Sequence, residues 1–184
     1  MAQDIRTDSH TTHLEGRRDR RDTAARYALL PLRVFLGVTF VYAGLDKLTD
    51  SAFLRASGAG SVGDLMHGVR SSSAVPALVD LALRSPVGFG YAIAFGELAV
   101  GIGTLLGLLG RVAALGGALI SLSLWLTVSW ASSPYYYGND LPYMMCWVPL
   151  VLAGTSFWSL DALIRSRRQG HAQAGLLATS GSRS

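Results

Sequence analysis

Two ionisable residues, Arg33 and Glu97, fall deep inside apolar stretches of the sequence, and a second polar group is made up of Asp46, Lys47, Trp130, Tyr137, Asn139 and Asp140. An ionised side chain at mid-membrane costs at least ~2.5–3.5 kcal/mol unless it is paired or protonated, so Glu97 calls for an interior partner. Arg33 is the nearest candidate in depth, about 9 Å away counted by helical rise alone. Such an intramembrane polar pair can fasten two helices, or it can serve as a ligand or proton site; the residue types leave both readings open. The second group offers charge, amide, phenol and indole together. A quinone head group needs flat apolar walls with one or two hydrogen-bond partners. Lys47 would draw an anion, Trp130 and Tyr137 would sandwich a ring, and Asn139 or Asp140 would bond a carbonyl. The plainer reading of Trp130, Tyr135, Tyr136, Tyr137, Tyr143 and Trp147 is an aromatic belt at a membrane interface.

The elements that must hold these residues follow from how little charge surrounds them. Charged residues are 15% of the 184, against roughly 25% in soluble domains. Outside the segments 1–26, 49–85 and 165–184, charge is confined to Arg33, Asp46, Lys47, Glu97, Arg111, Asp140 and Asp161. So few cannot keep a soluble surface wet. Four apolar stretches, about 27–48, 86–109, 111–131 and 141–163, have the ~20-residue length that crosses a ~30 Å hydrocarbon core. They lack the alternation of barrel strands, and lipid offers an open backbone no partner, so they are helices. The expected fold is an all-α membrane protein: a four-transmembrane-helix bundle over 27–164, embedded in the lipid bilayer, between polar tails at 1–26 and 165–184 that read as disordered.

Basic residues orient it. Arg6, Arg17, Arg18, Arg20, Arg21 and Arg26, the turn residue Arg111, and Arg165, Arg167, Arg168 and Arg183 fall on one side, against Arg55, Arg70 and Arg84 on the other. The positive-inside rule then puts both termini in the cytoplasm of a multi-pass protein of the cytoplasmic (inner) membrane. The same rule accounts for the basic balance without nucleic acid. The outward segment 49–85 carries apolar residues at helical spacing between Gly and Ser breaks. It reads as two or three short amphipathic helices on the outer surface or capping the bundle, with a shallow re-entrant segment as the alternative. Asp80 and Arg84, four apart, suit a surface pair.

Several cofactors find no ligands here. Cys146 is the single cysteine, and His10, His13, His67 and His171 all lie outside the spans. No metal site, iron–sulfur cluster or bis-His haem has its donors, and no phosphate loop precedes a helix. No covalently bound cofactor is expected; a membrane quinone would act as substrate.

Two faces carry a positional pattern. Arg33, Gly37, Phe40, Gly44 and Lys47 stay within an arc of about 80° on the first helix, and Gly90, Ala94, Glu97, Gly101 and Thr104 share a face of the second. Small residues on such faces let helices approach closely. In the third, Ser121, Trp125 and Ser129 share a side. Asn139 or Asp140 suits the N-cap of the fourth, and Pro149 should kink it.

The run Arg33-x-x-x-Gly37-x-x-Phe40-x-x-x-Gly44-x-x-Lys47 resembles the first-helix signature of the DoxX/DoxD membrane proteins. The run from Gly96 and Glu97 through Gly101 to Gly110-Arg111 resembles their second-helix signature, and Pro134-Tyr135-Tyr136-Tyr137-Gly138-Asn139-Asp140-Leu141-Pro142 is similar to the loop of the DoxD-like branch. The resemblance covers about 27–164. It implies a four-helix membrane bundle and, in the named branch, a subunit of a thiosulfate:quinone oxidoreductase passing electrons from thiosulfate to membrane quinone. No catalytic residue is carried over with it. The expectation is therefore a membrane subunit of a quinone-linked sulfur or thiol oxidoreductase system, with quinone or substrate at the outer end of the bundle. A second oxidoreductase subunit, soluble redox partners or a further copy of the chain would be its partners. The alternatives are a non-catalytic scaffold for soluble redox partners and a small-solute or proton carrier built on Glu97.

Overall fold

The computed structural model describes residues 27–153. The expectations for both tails, for Asp161 and for the far half of the fourth span lie outside the described residues. The regular elements among them are helices: α1 (Leu30–Thr49), α2 (Val62–Val69), α3 (Pro76–Leu83), α4 (Pro86–Leu106), α5 (Gly110–Leu124) and α6 (Asp140–Ala153). A π-helical turn, Trp125–Ser129, continues α5, and a 3-10 turn, Tyr135–Tyr137, precedes α6.

Local chemistry explains where these helices begin and end. Proline stands in the first turn of α1, α3 and α4, where its missing N–H would have had no helical partner. Ser61 caps α2, its hydroxyl accepting the Asp64 N–H at 3.1 Å. The predicted second span runs to residue 109, but α4 stops at Leu106. Gly107 takes a left-handed φ of 64°, and the Leu108 N–H turns back to the Gly103 carbonyl at 3.0 Å, the glycine-terminated closure that satisfies carbonyls at a helix end. The third span likewise ends at Ser129 in the π turn, short of residue 131.

α1 and α4 lie against each other with their backbones in contact. A Cβ on Gly101 would lie 2.6 Å from the Val41 nitrogen, and one on Gly44 would lie 2.7 Å from the Ala94 carbonyl oxygen. The residues of both predicted stripes, from Arg33 to Gly44 on α1 and from Gly90 to Thr104 on α4, are the buried ones. On the far side α5 meets α6 where the Trp147 indole lies flat over Gly117. Contacts of α4 with α5 and of α1 with α6 complete the arrangement. Leu36, Phe40, Ala114, Trp147 and Leu150 form its core, with Phe40 edge-on to Trp147 at 4.9 Å. Outward faces are apolar: Val38, Phe95, Leu115 and Leu119 are all exposed. α4 and the continuous helix Gly110–Ser129 are long and apolar enough to cross a membrane. α1 has comparable length but carries Arg33, Asp46 and Lys47, and α6 is described for 14 residues.

The segment between α1 and α4 builds a second, smaller core from Val62, Met66, Val79 and Ala82, against which Phe53, Phe89 and Val128 pack. α2 and α3 thus form a cap over one end of the long helices. The cap is bonded to the π turn: the Leu126 carbonyl accepts both the Ala74 N–H at 2.9 Å and the Ser73 hydroxyl at 3.1 Å. The predicted Asp80–Arg84 bond gives way to Arg70, which meets the Asp80 carboxylate across the α2–α3 turn, Nη2 to Oδ2 being 3.0 Å.

Candidate functional site

The cap end holds the ion pair. Lys47 Nζ donates to both oxygens of Glu97, at 2.8 and 3.1 Å, and lies 3.4 Å from the Ala43 carbonyl. Glu97 is 4% exposed. Two facts of geometry make the pair. The glycine contact holds the two helix axes close, and side chains on a helix lean toward its N-terminus. Lys47 sits in the last turn of α1, so its stem runs back along the helix, toward the middle of the bundle rather than its rim. The expected Arg33–Glu97 pair is therefore replaced by Lys47–Glu97. Close contacts of Gly44 with Ala94 and Leu98 put Glu97 level with Ala43, ten residues from Arg33, about 15 Å along the helix.

Arg33 does something else at the opposite end. Its Nε donates to the Thr104 carbonyl at 2.7 Å and its Nη2 to the Leu105 carbonyl at 2.6 Å. These belong to the last turn of α4, where carbonyls lack the usual α-helical partner; the Thr104 carbonyl also accepts the Gly107 N–H at 3.2 Å. Arg33 is thus a C-terminal cap for α4 supplied from α1, with its charge at the negative end of the helix dipole.

Asp140 and Ser129 extend the cap-end group. Asp140 is the first residue of α6 and accepts a hydrogen bond from the Ser129 hydroxyl at the end of the π turn. Gly138 brings the loop in, since a Cβ there would lie 2.8 Å from the Ser129 Cβ. Lys47 is near enough for its charge to bear on Asp140, and Asp46 and Asp140 both bear on Glu97. One ammonium thus serves two carboxyl groups, Glu97 directly and Asp140 through its field.

The remaining predicted site residues stand apart. Trp130 has Trp125 as its ring neighbour at 5.2 Å, and Tyr137 has Tyr136 at 5.2 Å. Among the described ring contacts the two do not face each other as walls of a slot. Asn139 is exposed and precedes α6, its carbonyl accepting the Tyr143 N–H at 3.1 Å. Sequence reasoning did not single out Ser129 as a site residue; its signal is Gly138 placed where a loop must fold back on a helix end. Nor did it mark the carbonyls that hold Arg33 and the cap. Among the described residues, two buried polar atoms, Thr104 Oγ1 and Trp147 Nε1, have no hydrogen-bond partner.

Glycine-packed helices, two of them long and apolar enough to cross a membrane, are the architecture of a helical membrane protein's bundle. Residues 28–181 match the family model described as TQO small subunit DoxD, and the chain belongs to the DoxD family. Membership implies a membrane subunit of a thiosulfate:quinone oxidoreductase-like complex. No curated protein and no solved structure matches the chain.

Proposed function

We propose that this chain is the four-span, quinone-binding subunit of such a complex in the inner membrane, with both termini cytoplasmic and the cap facing outward. The orientation rests on the arginines of the tails and of the α4–α5 turn. The substrate reading rests on one observation: the buried Lys47–Glu97 pair stands beside the Asp140–Ser129 bond at the cap end. Lys47 keeps 23% of its side chain exposed, so the N–H that reaches the Ala43 carbonyl at 3.4 Å can turn to a ligand oxygen while the other two stay on Glu97. Ser129 supplies the one hydroxyl of this group, and it donates to Asp140. Trp130 follows Ser129 in the chain and Tyr143 lies one turn after Asp140 on α6, and these would supply the apolar ring surface. Electrons reach the quinone from thiosulfate through the complex, and a partner subunit completes it.

The test is quinone-dependent turnover in membranes containing the complex. Lys47→Ala and Asp140→Ala should each abolish turnover while the protein remains in the membrane at wild-type level. Unchanged turnover in both variants would overturn the proposal.

A further inference from the structure

The charge around Lys47 narrows what that site can hold, given the quinone reading on which this inference rests. A free lysine near a membrane surface is an anion trap. This one is not free, because both oxygens of Glu97 are bonded to it. The other elements at the same end add negative charge. Asp46 comes from α1 and Asp140 from α6, while the π turn contributes only the neutral Ser129. The chain from Asp46 to Glu97, together with Asp140, holds six carboxyl groups (Asp46, Asp50, Asp64, Asp80, Glu97, Asp140) against four cations (Lys47, Arg55, Arg70, Arg84). Of those cations, Arg70 is bonded to Asp80, and Arg55 turns its Nε to the Ser51 carbonyl at 2.9 Å. Arg84 lies in the field of Asp80. None of the cap's arginines is bonded to Asp46, Glu97 or Asp140 among the described contacts.

A dianion entering here would meet a cluster with more carboxylates than cations, in a low-dielectric setting where like charges repel over several ångströms. It would also have to take Lys47 from Glu97, leaving a buried carboxylate without its partner. An uncharged ligand with oxygen acceptors meets neither obstacle. We infer that the cap-end cluster of Lys47, Glu97, Asp140 and Ser129 selects a neutral carbonyl-bearing ring and rejects the sulfur oxyanion, whose binding site lies outside this cluster. Glu97 sets that selectivity by keeping Lys47 neutralised.

The full chain in lipid nanodiscs provides the test. A short-tailed benzoquinone is titrated while tryptophan emission is followed, with thiosulfate or an equal ionic strength of sodium chloride added as competitor. Quinone should quench the emission saturably, and thiosulfate should leave its apparent Kd within about 2-fold of the chloride control. In Glu97→Gln, which uncovers the Lys47 charge, thiosulfate should compete and weaken quinone by ~10-fold or more, about 1.4 kcal/mol. Asp46→Asn/Asp140→Asn should move in the same direction by less. Competition by thiosulfate in the unmodified chain that disappears in Lys47→Met would overturn the selectivity and leave the quinone reading standing. So would a Glu97→Gln chain that still ignores thiosulfate. Absence of saturable quinone quenching would instead overturn the quinone reading, and the selectivity with it.

Discussion

Arg33 and Lys47 stand on one face of α1, at its two ends, and their fates differ. Arg33 gives its hydrogen bonds to neutral carbonyls, whereas Lys47 gives its own to a carboxylate. A guanidinium presents several donors in a plane and serves two adjacent carbonyls at a helix end. An ammonium is a compact charge and goes to the one buried group that needs neutralising. The turn end is therefore a structural fastening with its partner groups fixed in the backbone. The cap end is an ion pair between two side chains, and the proposed quinone site is put there for that reason.

The strongest way to break the comparison is to separate α1 from α4. Gly101→Leu forces side-chain atoms into the space held by the Val41 nitrogen and the Gly37 carbonyl. It should cost more than about 3 kcal/mol and remove both ends at once, read as loss of a thermal unfolding transition in detergent. Removing Lys47 comes next. Lys47→Met leaves Glu97 buried without its partner and should cost on the order of 3 kcal/mol, most of it recovered in Lys47→Met/Glu97→Met. A double variant as unstable as the single would show that the pair contributes more than mutual neutralisation. Arg33→Met should cost less, about 2 kcal/mol, because carbonyls left behind carry no net charge. Arg33→Lys should recover part of that, whereas Lys47→Arg should not rescue turnover.

The smallest effect is at the exposed Arg70–Asp80 pair. The Arg70 hydrogen bond holds the Asp80 carboxyl below the usual carboxylate range. A group with a lowered folded-state pKa stabilises above its unfolded pKa, and that contribution fades as pH falls through the folded value. Acid should therefore loosen the α2–α3 turn before the bundle. Protection factors of the turn amides in wild type, corrected for the intrinsic exchange rate, should fall at low pH, and Asp80→Asn should remove that pH dependence with little change in melting temperature.

The two buried stripes were legible because small and polar residues recur with helical period on otherwise apolar helices. Glu97 was legible because one carboxyl in an apolar run stands out. Its partner is not legible, because depth along the span ends does not fix the register of two packed helices. The register is fixed instead by the glycine contacts, which set Gly37 beside Gly101 and Gly44 beside Ala94, and by the backward lean of the lysine stem. The quinone slot between Trp130 and Tyr137 was an inference from composition, and composition does not say which rings face each other. The cap was foreseeable as amphipathic helices. Its attachment was not, since a backbone carbonyl leaves no trace in residue type.

That attachment joins two things that look separate. The π turn presents the Leu126 carbonyl to the cap and the Ser129 hydroxyl to Asp140, three residues apart on one turn. A π turn contains one more residue than the α turn it replaces, and rewinding it would swing each later side chain by about 100°. The cap and the acidic end of α6 are thus registered to the same winding of α5. A shift of either by a helical step would therefore break the hydrogen bonds of the other as well.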